Sequence, residues 1–324
     1  MPLDSPVIVD GLIVSDWSRE VFEEMRDGGL TAANCTCAVW ENFRETMDNI
    51  AAWQGYFRDH DDILVQARSA ADIRAAKAAG KVAIFLGWQN SYPIEDRVDY
   101  LPLFHDLGVR VIQLTYNTQN LVGSGCWESR DSGLSDFGRD VIDEMNRLGM
   151  LVDLSHVGDG TSRDAILHSK QPVAYTHCAP NALYDHPRNK PDEMLKLISD
   201  RGGFTGVVAY TPFMAQQGEA TVDDVVALLD HTISVAGEEN VGIGTDFTQG
   251  HGVGFFEYLR SDKGRGRALS APMANRPPNP KGLDGMRDYP NLIAAMDRAG
   301  WSDARIEKIA GENWLRFLGE VWRG

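Results

Sequence analysis

Positive charge is scarce in this chain: 31 Lys and Arg stand against 47 Asp and Glu over 324 residues, a formal net charge of −16. That balance excludes the basic face a nucleic-acid binder presents and the polybasic segment that holds a chain to an anionic membrane. Acidity itself speaks of solubility and names no substrate. Cysteine is scarce too. Cys35, Cys37, Cys126 and Cys178 are too few and too scattered for a disulfide framework, and the expectation is a reducing, cytoplasmic setting. No apolar run approaches the ~20 residues that span a bilayer. The opening Met1-Pro2-Leu3-Asp4-Ser5 has no basic segment leading into an apolar one, so no secretory signal is expected. No Gly-x-Gly-x-x-Gly turn follows the first apolar run, which removes the dinucleotide-binding fingerprint.

What the chain does have is rhythm. Apolar, β-branched runs recur at 7–14, 32–40, 81–89, 109–116, 151–157, 173–178, 204–210 and 241–247. Several are nearly continuous in apolar residues, as strands buried on both faces of a parallel sheet must be. Helical patterns lie between them. In 136–148 the residues Phe137, Val141, Ile142, Met145 and Leu148 form one apolar stripe, ended by Gly149. Strand and helix alternating eight times predict a (β/α)8 TIM barrel, with an open doubly wound sheet as the competing architecture. The whole chain, 1–324, reads as one such domain, closed by a segment of two or three helices from about 289. The stretch 261–288, rich in Gly, Pro, Arg and Asn, reads as a long loop past the eighth run, over the mouth or as an insertion.

Active sites of such barrels gather at the C-terminal ends of the strands. His156 closes the fifth run and His177 the sixth, twenty-one residues apart, room for one connecting helix. Two imidazoles on neighbouring strand tips suit a Zn²⁺ or similar ion held through neutral ring nitrogens. Such an ion activates water and polarises a carbonyl. Asp246, at the end of the eighth run, would accept the water's proton. Arg188, in His186-Pro187-Arg188-Asn189, is placed to grip a substrate carboxylate with two N–H groups. His60, His105, His168 and His231 fall in helical patterns and read as structural, His186 as a loop residue. His251, just past the eighth run, could reach the mouth.

Several of these segments together resemble the zinc-dependent membrane (renal) dipeptidases. They are Gly133-Leu134-Ser135-Asp136-Phe137-Gly138-Arg139, the run from Met145 through Asp153-Leu154-Ser155-His156, and the stretch from Thr176-His177-Cys178 to Arg188-Asn189. Gly242-Ile243-Gly244-Thr245-Asp246-Phe247 and Gly311-Glu312-Asn313-Trp314 continue the likeness. The resemblance implies a barrel of the metal-dependent amidohydrolase type that cleaves dipeptides with two zinc ions and, weakly, a homodimer. On it, His156 and His177 match the histidines of one zinc, Arg188 the arginine that receives the substrate carboxylate, and Asp246 the active-site aspartate.

The other half of the family's site departs from the pattern. The family opens with His-x-Asp after Asp-Gly, whereas here Asp10-Gly11 leads into Leu12-Ile13-Val14. Gln89 falls at or next to the bridging glutamate, and Tyr116 replaces a substrate-contacting histidine. An amide cannot neutralise two dications, and aliphatic side chains offer no lone pair. The expectation is therefore a metallohydrolase with a single ion on His156 and His177. It would act on a small peptide-like or amide substrate bearing a carboxylate, with Gln89 and Tyr116 touching that substrate. Asp16, Cys37 and Cys178 are weaker candidates to complete the ion's donor set. A same-fold lyase or isomerase, or a binding protein without catalysis, are the competing readings.

Overall fold

A computed structural model describes residues 6–263, 266 and 274–322. Nine strands, all parallel where they pair, carry the architecture: β1 (Val9–Ile13), β2 (Ala32–Ala38), β3 (Leu64–Gln66), β4 (Val82–Trp88), β5 (Val109–Gln113), β6 (Leu151–Asp153), β7 (Ala174–Cys178), β8 (Phe204–Val207) and β9 (Val241–Ile243). Eight of them close a ring in the order β1-β2-β4-β5-β6-β7-β8-β9 and back to β1. This is the (β/α)8 barrel, and the open sheet is excluded by the β2–β4 and β1–β9 pairings.

The ninth strand is an addition the sequence pattern did not announce. β3 has three residues, too few to show a period, and pairs Leu64 with Val82 and Gln66 with Ile84. β5 takes the same edge of β4 only from Leu86 onward. The short strand thus covers the backbone groups of β4 that β5 does not reach. The helix between β4 and β5 is short too, running Leu101–Asp106 with Pro102 in its first turn, where a missing N–H costs nothing. The helix Asp136–Leu148 is as the stripe predicts, and Gly149 ends it in the left-handed conformation. Helix Asp159–His168 fills the space between the two histidine-bearing segments.

The barrel is plugged at the N-terminal ends of its strands. There Val9, Ala32, Ala83, Val111, Leu151, Ala174 and Phe204 pack on Trp314, Phe317, Leu318 and Trp322 from the last helix, Asn313–Val321. Trp314 enters so far that its indole N–H donates to Ile243 O at 2.8 Å. Gly11, Gly206 and Gly242 leave the room: a Cβ on them would lie 2.6, 3.1 and 2.8 Å from the indole. One end of the barrel is thereby filled with apolar side chains, and only the C-terminal rim is free for chemistry. The segment 261–288 lies partly outside the described residues. Within the described part, an eight-residue helix, Val253–Arg260, precedes it and crosses the rim. Trp40 Nε1 donates to Leu259 O at 3.1 Å and the Tyr258 hydroxyl to Glu41, which ties this helix to the end of β2. No helix among the described residues is long and apolar enough to cross a membrane.

Candidate active site

The rim is built by two copies of one device. Asp153, the last residue of β6, accepts four hydrogen bonds: from the N–H and O–H of Ser155 (3.0 and 2.6 Å) and the N–H and O–H of Thr176 (3.0 and 2.7 Å). Asp10 of β1 does the same for the N–H of Leu12 (2.9 Å) and the N–H and O–H of Thr245 (2.9 and 2.5 Å), and Tyr289 adds its hydroxyl at 2.5 Å. In each case the threonine directly precedes a candidate functional residue, His177 or Asp246. Burial raises both carboxyl pKa values and these bonds oppose it. The strands bend here. β1 inserts one residue between its Asp10 and Ile13 pairings to β2, a bulge of the kind that re-aims side chains.

His156 and His177 meet at the rim, with 3.0 Å between their Nε2 atoms. Their tautomers follow from the partners on the far side of each ring. His156 Nδ1 is 2.7 Å from Asn117 Oδ1, an acceptor, so Nδ1 carries the proton. His177 Nδ1 is 2.8 Å from Thr176 Oγ1, whose own proton goes to Asp153, so this Nδ1 also donates. Both Nε2 atoms therefore point lone pairs at one another. Burial pushes both imidazoles well below their usual pKa, with help from the Arg188 and Lys190 cations. The neutral form that ligation requires is the one the protein favours. Tyr116 stacks on His156 at 4.3 Å between ring centroids, 25° from parallel.

This donor pair fits a cation. Two nitrogens at 2.0–2.1 Å from one tetrahedral ion lie about 3.4 Å apart, a few tenths of an ångström beyond the observed spacing. The positions where the family pattern places its other ligands carry no imidazole or carboxylate. Leu12 is buried and Val14 faces the cavity. Gln89 uses its amide nitrogen on Thr36 Oγ1 at 3.1 Å. Among the described residues no group of three or more His, Cys, Asp or Glu side chains is arranged for a metal. Asp16 and Cys37 line a neighbouring cavity, together with His251, and Cys178 packs in the hydrophobic core. None of them joins the imidazole pair.

The cavity beside the pair measures about 150 Å³. Gln89, Tyr116, His156 and Asp246, expected at the site, line it. So do His186, read from the sequence as a loop residue, and residues the sequence did not single out: Trp127, Pro212 and Phe213, with Phe256, Leu259 and Arg260 from the crossing helix. Asn117 sits in the left-handed region at φ 58°, and Asp246 at φ 61°. Both are conformations that Asn and Asp tolerate better than most residues. Asp246 keeps some surface open to the cavity, yet the surrounding protein raises its pKa to about 7. Burial is the main cause, the Asp10 and Asp153 carboxylates add to it, and Arg188 works against it. Arg188 is 1% exposed. It donates from Nη2 to His177 O at 2.5 Å and lies 5.4 Å over the Phe213 ring. Its Nε and Nη1 find no hydrogen-bond partner among the described residues.

A buried guanidinium, an imidazole pair and a carboxylate, at the open end of a plugged (β/α)8 barrel, mark a barrel enzyme of the hydrolase class. The comparisons agree. The model of the membrane dipeptidases (peptidase family M19) matches residues 16–262 and 268–323, and the chain belongs to that family, a family of peptidase-type hydrolases. The match begins past β1, the strand that lacks the two ligands.

An uncharacterised dipeptidase of Schizosaccharomyces pombe is 35% identical over 258 residues, covering 78% of this chain and 55% of its own length. The dipeptidase tcpJ of Claviceps purpurea is 32% identical over 284 residues, 86% of this chain and 60% of its own. The chain thus spans little more than half the length of these relatives. Among solved structures, an amidohydrolase of Pseudomonas aeruginosa superposes with a TM-score of 0.95 at 49% identity, covering 98% of this chain and 97% of that one. A metallopeptidase of Rhodobacter sphaeroides, solved with a phosphinate mimic of L-Ala-D-Ala, shares the fold at a TM-score of 0.82 and 21% identity, covering 98% of this chain and all of its own.

Proposed function

We propose that the chain hydrolyses a small amide or peptide-like substrate with a free carboxylate, using one metal ion, zinc by family likeness, on His156 and His177. The observation that carries this reading is the approach of the two Nε2 atoms to 3.0 Å while each Nδ1 has its own partner, an arrangement that assigns a lone pair to both Nε2 atoms. Without an electrophile between them they repel, and burial with two nearby cations disfavours a shared proton.

When bound, such an ion supplies Lewis-acid polarisation of the scissile carbonyl. The protein's own residues do the rest. Arg188 receives the substrate carboxylate through an unused donor, Nε or Nη1, as a charge-assisted hydrogen bond. Asp246 accepts the proton of the attacking water and returns it to the leaving amine, a role suited to a carboxyl group with a pKa near 7. Tyr116 and Gln89 border the reacting group.

Metal-free protein titrated with zinc, followed by turnover of dipeptides and their C-terminal amides, tests the proposal. Uptake of one equivalent, with turnover lost on amidation, is expected. Uptake of two equivalents or none, or equal turnover of amidated substrates, overturns it. An acid–base lyase or isomerase is the alternative, favoured by the near-neutral Asp246 beside Tyr116. Turnover confined to acids without a hydrolysable bond would select it.

A further inference from the structure

A second cavity, of about 230 Å³, opens beside the first, between the ends of β1 and β2 and the helix Phe43–Asp59. The two cavities share a wall. Val14 lines both. Gln89 lines the first and donates to Thr36, which lines the second. These are positions where the sequence replaces metal ligands of its family, so the partition is made of an aliphatic side chain and an amide.

The chemistry of the second cavity is one-sided. Trp17, Trp53, Tyr56 and Phe255 supply aromatic wall, with the His251 ring stacked on Phe255 at 3.5 Å between ring centroids. Asp16 and Glu41 supply carboxylates, Asp16 exposed at the rim and Glu41 held by the N–H groups of Val39 and Trp40 at 2.6 and 3.0 Å. Among the described residues no lysine or arginine lines it. Aromatic faces and carboxylates without a competing cation select a positive group on an apolar stem. The volume suits a side chain rather than a single water. Behind the first cavity's lining, 5.4 Å over its Phe213 ring, Arg188 offers the opposite preference.

We propose that this second cavity receives the cationic end of the substrate, an ammonium or guanidinium group on an apolar stem, while the carboxylate end goes to Arg188. The substrate class is then a zwitterionic dipeptide-like amide with a basic first residue. This rests on the hydrolase reading above for the placement of the scissile bond, though not for the cation site itself.

The test has two arms. In the first, kcat/KM is measured for L-lysyl-L-alanine and L-norleucyl-L-alanine, which differ only in the terminal ammonium, with wild type and Asp16→Asn. The lysyl substrate is expected to lead by tenfold or more in wild type, and the ratio to fall within threefold in the variant. In the second, calorimetry follows binding of agmatine, which has neither a carboxylate nor a peptide bond. Saturable binding, weakened about tenfold by Asp16→Asn, is expected. Absence of agmatine binding, or a norleucyl substrate equal to or better than the lysyl one, overturns the proposal. Agmatine binding that responds to Asp16→Asn in a protein that cleaves no dipeptide keeps the cation site and rejects the hydrolase reading.

Discussion

The Asp153 device makes a prediction that follows proton by proton. In Asp153→Asn the side-chain oxygen still accepts from Ser155 and from the Thr176 N–H. The new amide NH₂ stands where the carboxylate took the Thr176 hydroxyl proton at 2.7 Å. Two donors now face each other. The threonine O–H must turn, and the nearer acceptor is His177 Nδ1 at 2.8 Å, against Ser155 Oγ at 3.3 Å. His177 then carries its proton on Nε2 and donates it to His156 Nε2 across 3.0 Å. The repelling lone pairs become an ordinary hydrogen bond, and the cation loses one of its two donors.

The expected cost is large for the ion and small for the fold. Partners that orient a ligating histidine are worth roughly 10–100-fold in metal affinity, about 1.4–2.7 kcal/mol at 1.36 kcal/mol per tenfold. The metal-free fold gains a neutral hydrogen bond of about 1 kcal/mol against weaker bonds at residue 153, so its stability changes little. Zinc affinity is measured by competition with a chromophoric chelator, and the tautomers by ¹⁵N NMR of the imidazoles in metal-free protein. Affinity within threefold of wild type, or a wild-type His177 already protonated on Nε2, would refute the reasoning.

Three further outcomes are expected. In metal-free protein Asp246 has a folded pKa near 7, above the ordinary carboxylate value near 4. The folded state therefore binds its proton more tightly than the unfolded one, and this contribution to stability is full below about pH 4 and lost as pH rises to about 7. Asp246→Asn should thus gain stability relative to wild type as pH is raised through that window, read by denaturant titration; a flat difference contradicts the assignment. Arg188→Lys should lower kcat/KM for carboxylate-bearing dipeptides by about 10–100-fold, the worth of about 1.5–3 kcal/mol for a charge-assisted contact. It should act mainly through KM, with little effect on C-amidated analogues, and equal losses on both substrate types would count against the carboxylate role. Trp314→Ala should cost about 3–5 kcal/mol of stability, because the indole fills the closed end of the barrel; a loss under 1 kcal/mol in chemical denaturation would deny it that role.

The barrel was legible because its strands are buried on both faces and so read as apolar runs, and because glycines and caps punctuate the helices between them. β3 escaped because three residues carry no period. Helix Val253–Arg260 escaped because it follows a glycine-rich segment whose composition reads as loop. At the site, His156, His177 and Asp246 announced themselves by ending apolar runs. Phe213, Trp127 and His186 reach the cavity from segments whose course depends on tertiary contacts, as where the His186 ring meets Trp127 at 5.6 Å and Phe213 at 5.1 Å between ring centroids. No local pattern encodes such a contact. The Asp10 and Asp153 devices lay in plain sight as Asp-Gly and Asp-Leu-Ser. Their meaning needed the register that brings Thr245 and Thr176 alongside.

That register also explains how family membership and a missing ligand pair coexist in one chain. In a metal site the ligands are often assumed to hold the strand in its bent course. Here Leu12 and Val14 hold no ion, yet the β1 bulge persists. Asp10 maintains it by accepting from Leu12 N–H, from both donors of Thr245 and from the Tyr289 hydroxyl. The Asp246 N–H then bonds Leu12 O at 3.0 Å, so the bulge carries Asp246, the proposed general base. Loss of the first donor set therefore leaves Asp246 in place. The mirrored Asp153 device, whose four acceptor bonds fix the ring of His177, keeps the second set intact. The backbone survives the substitutions because its geometry answers to buried aspartates that the substitutions did not touch.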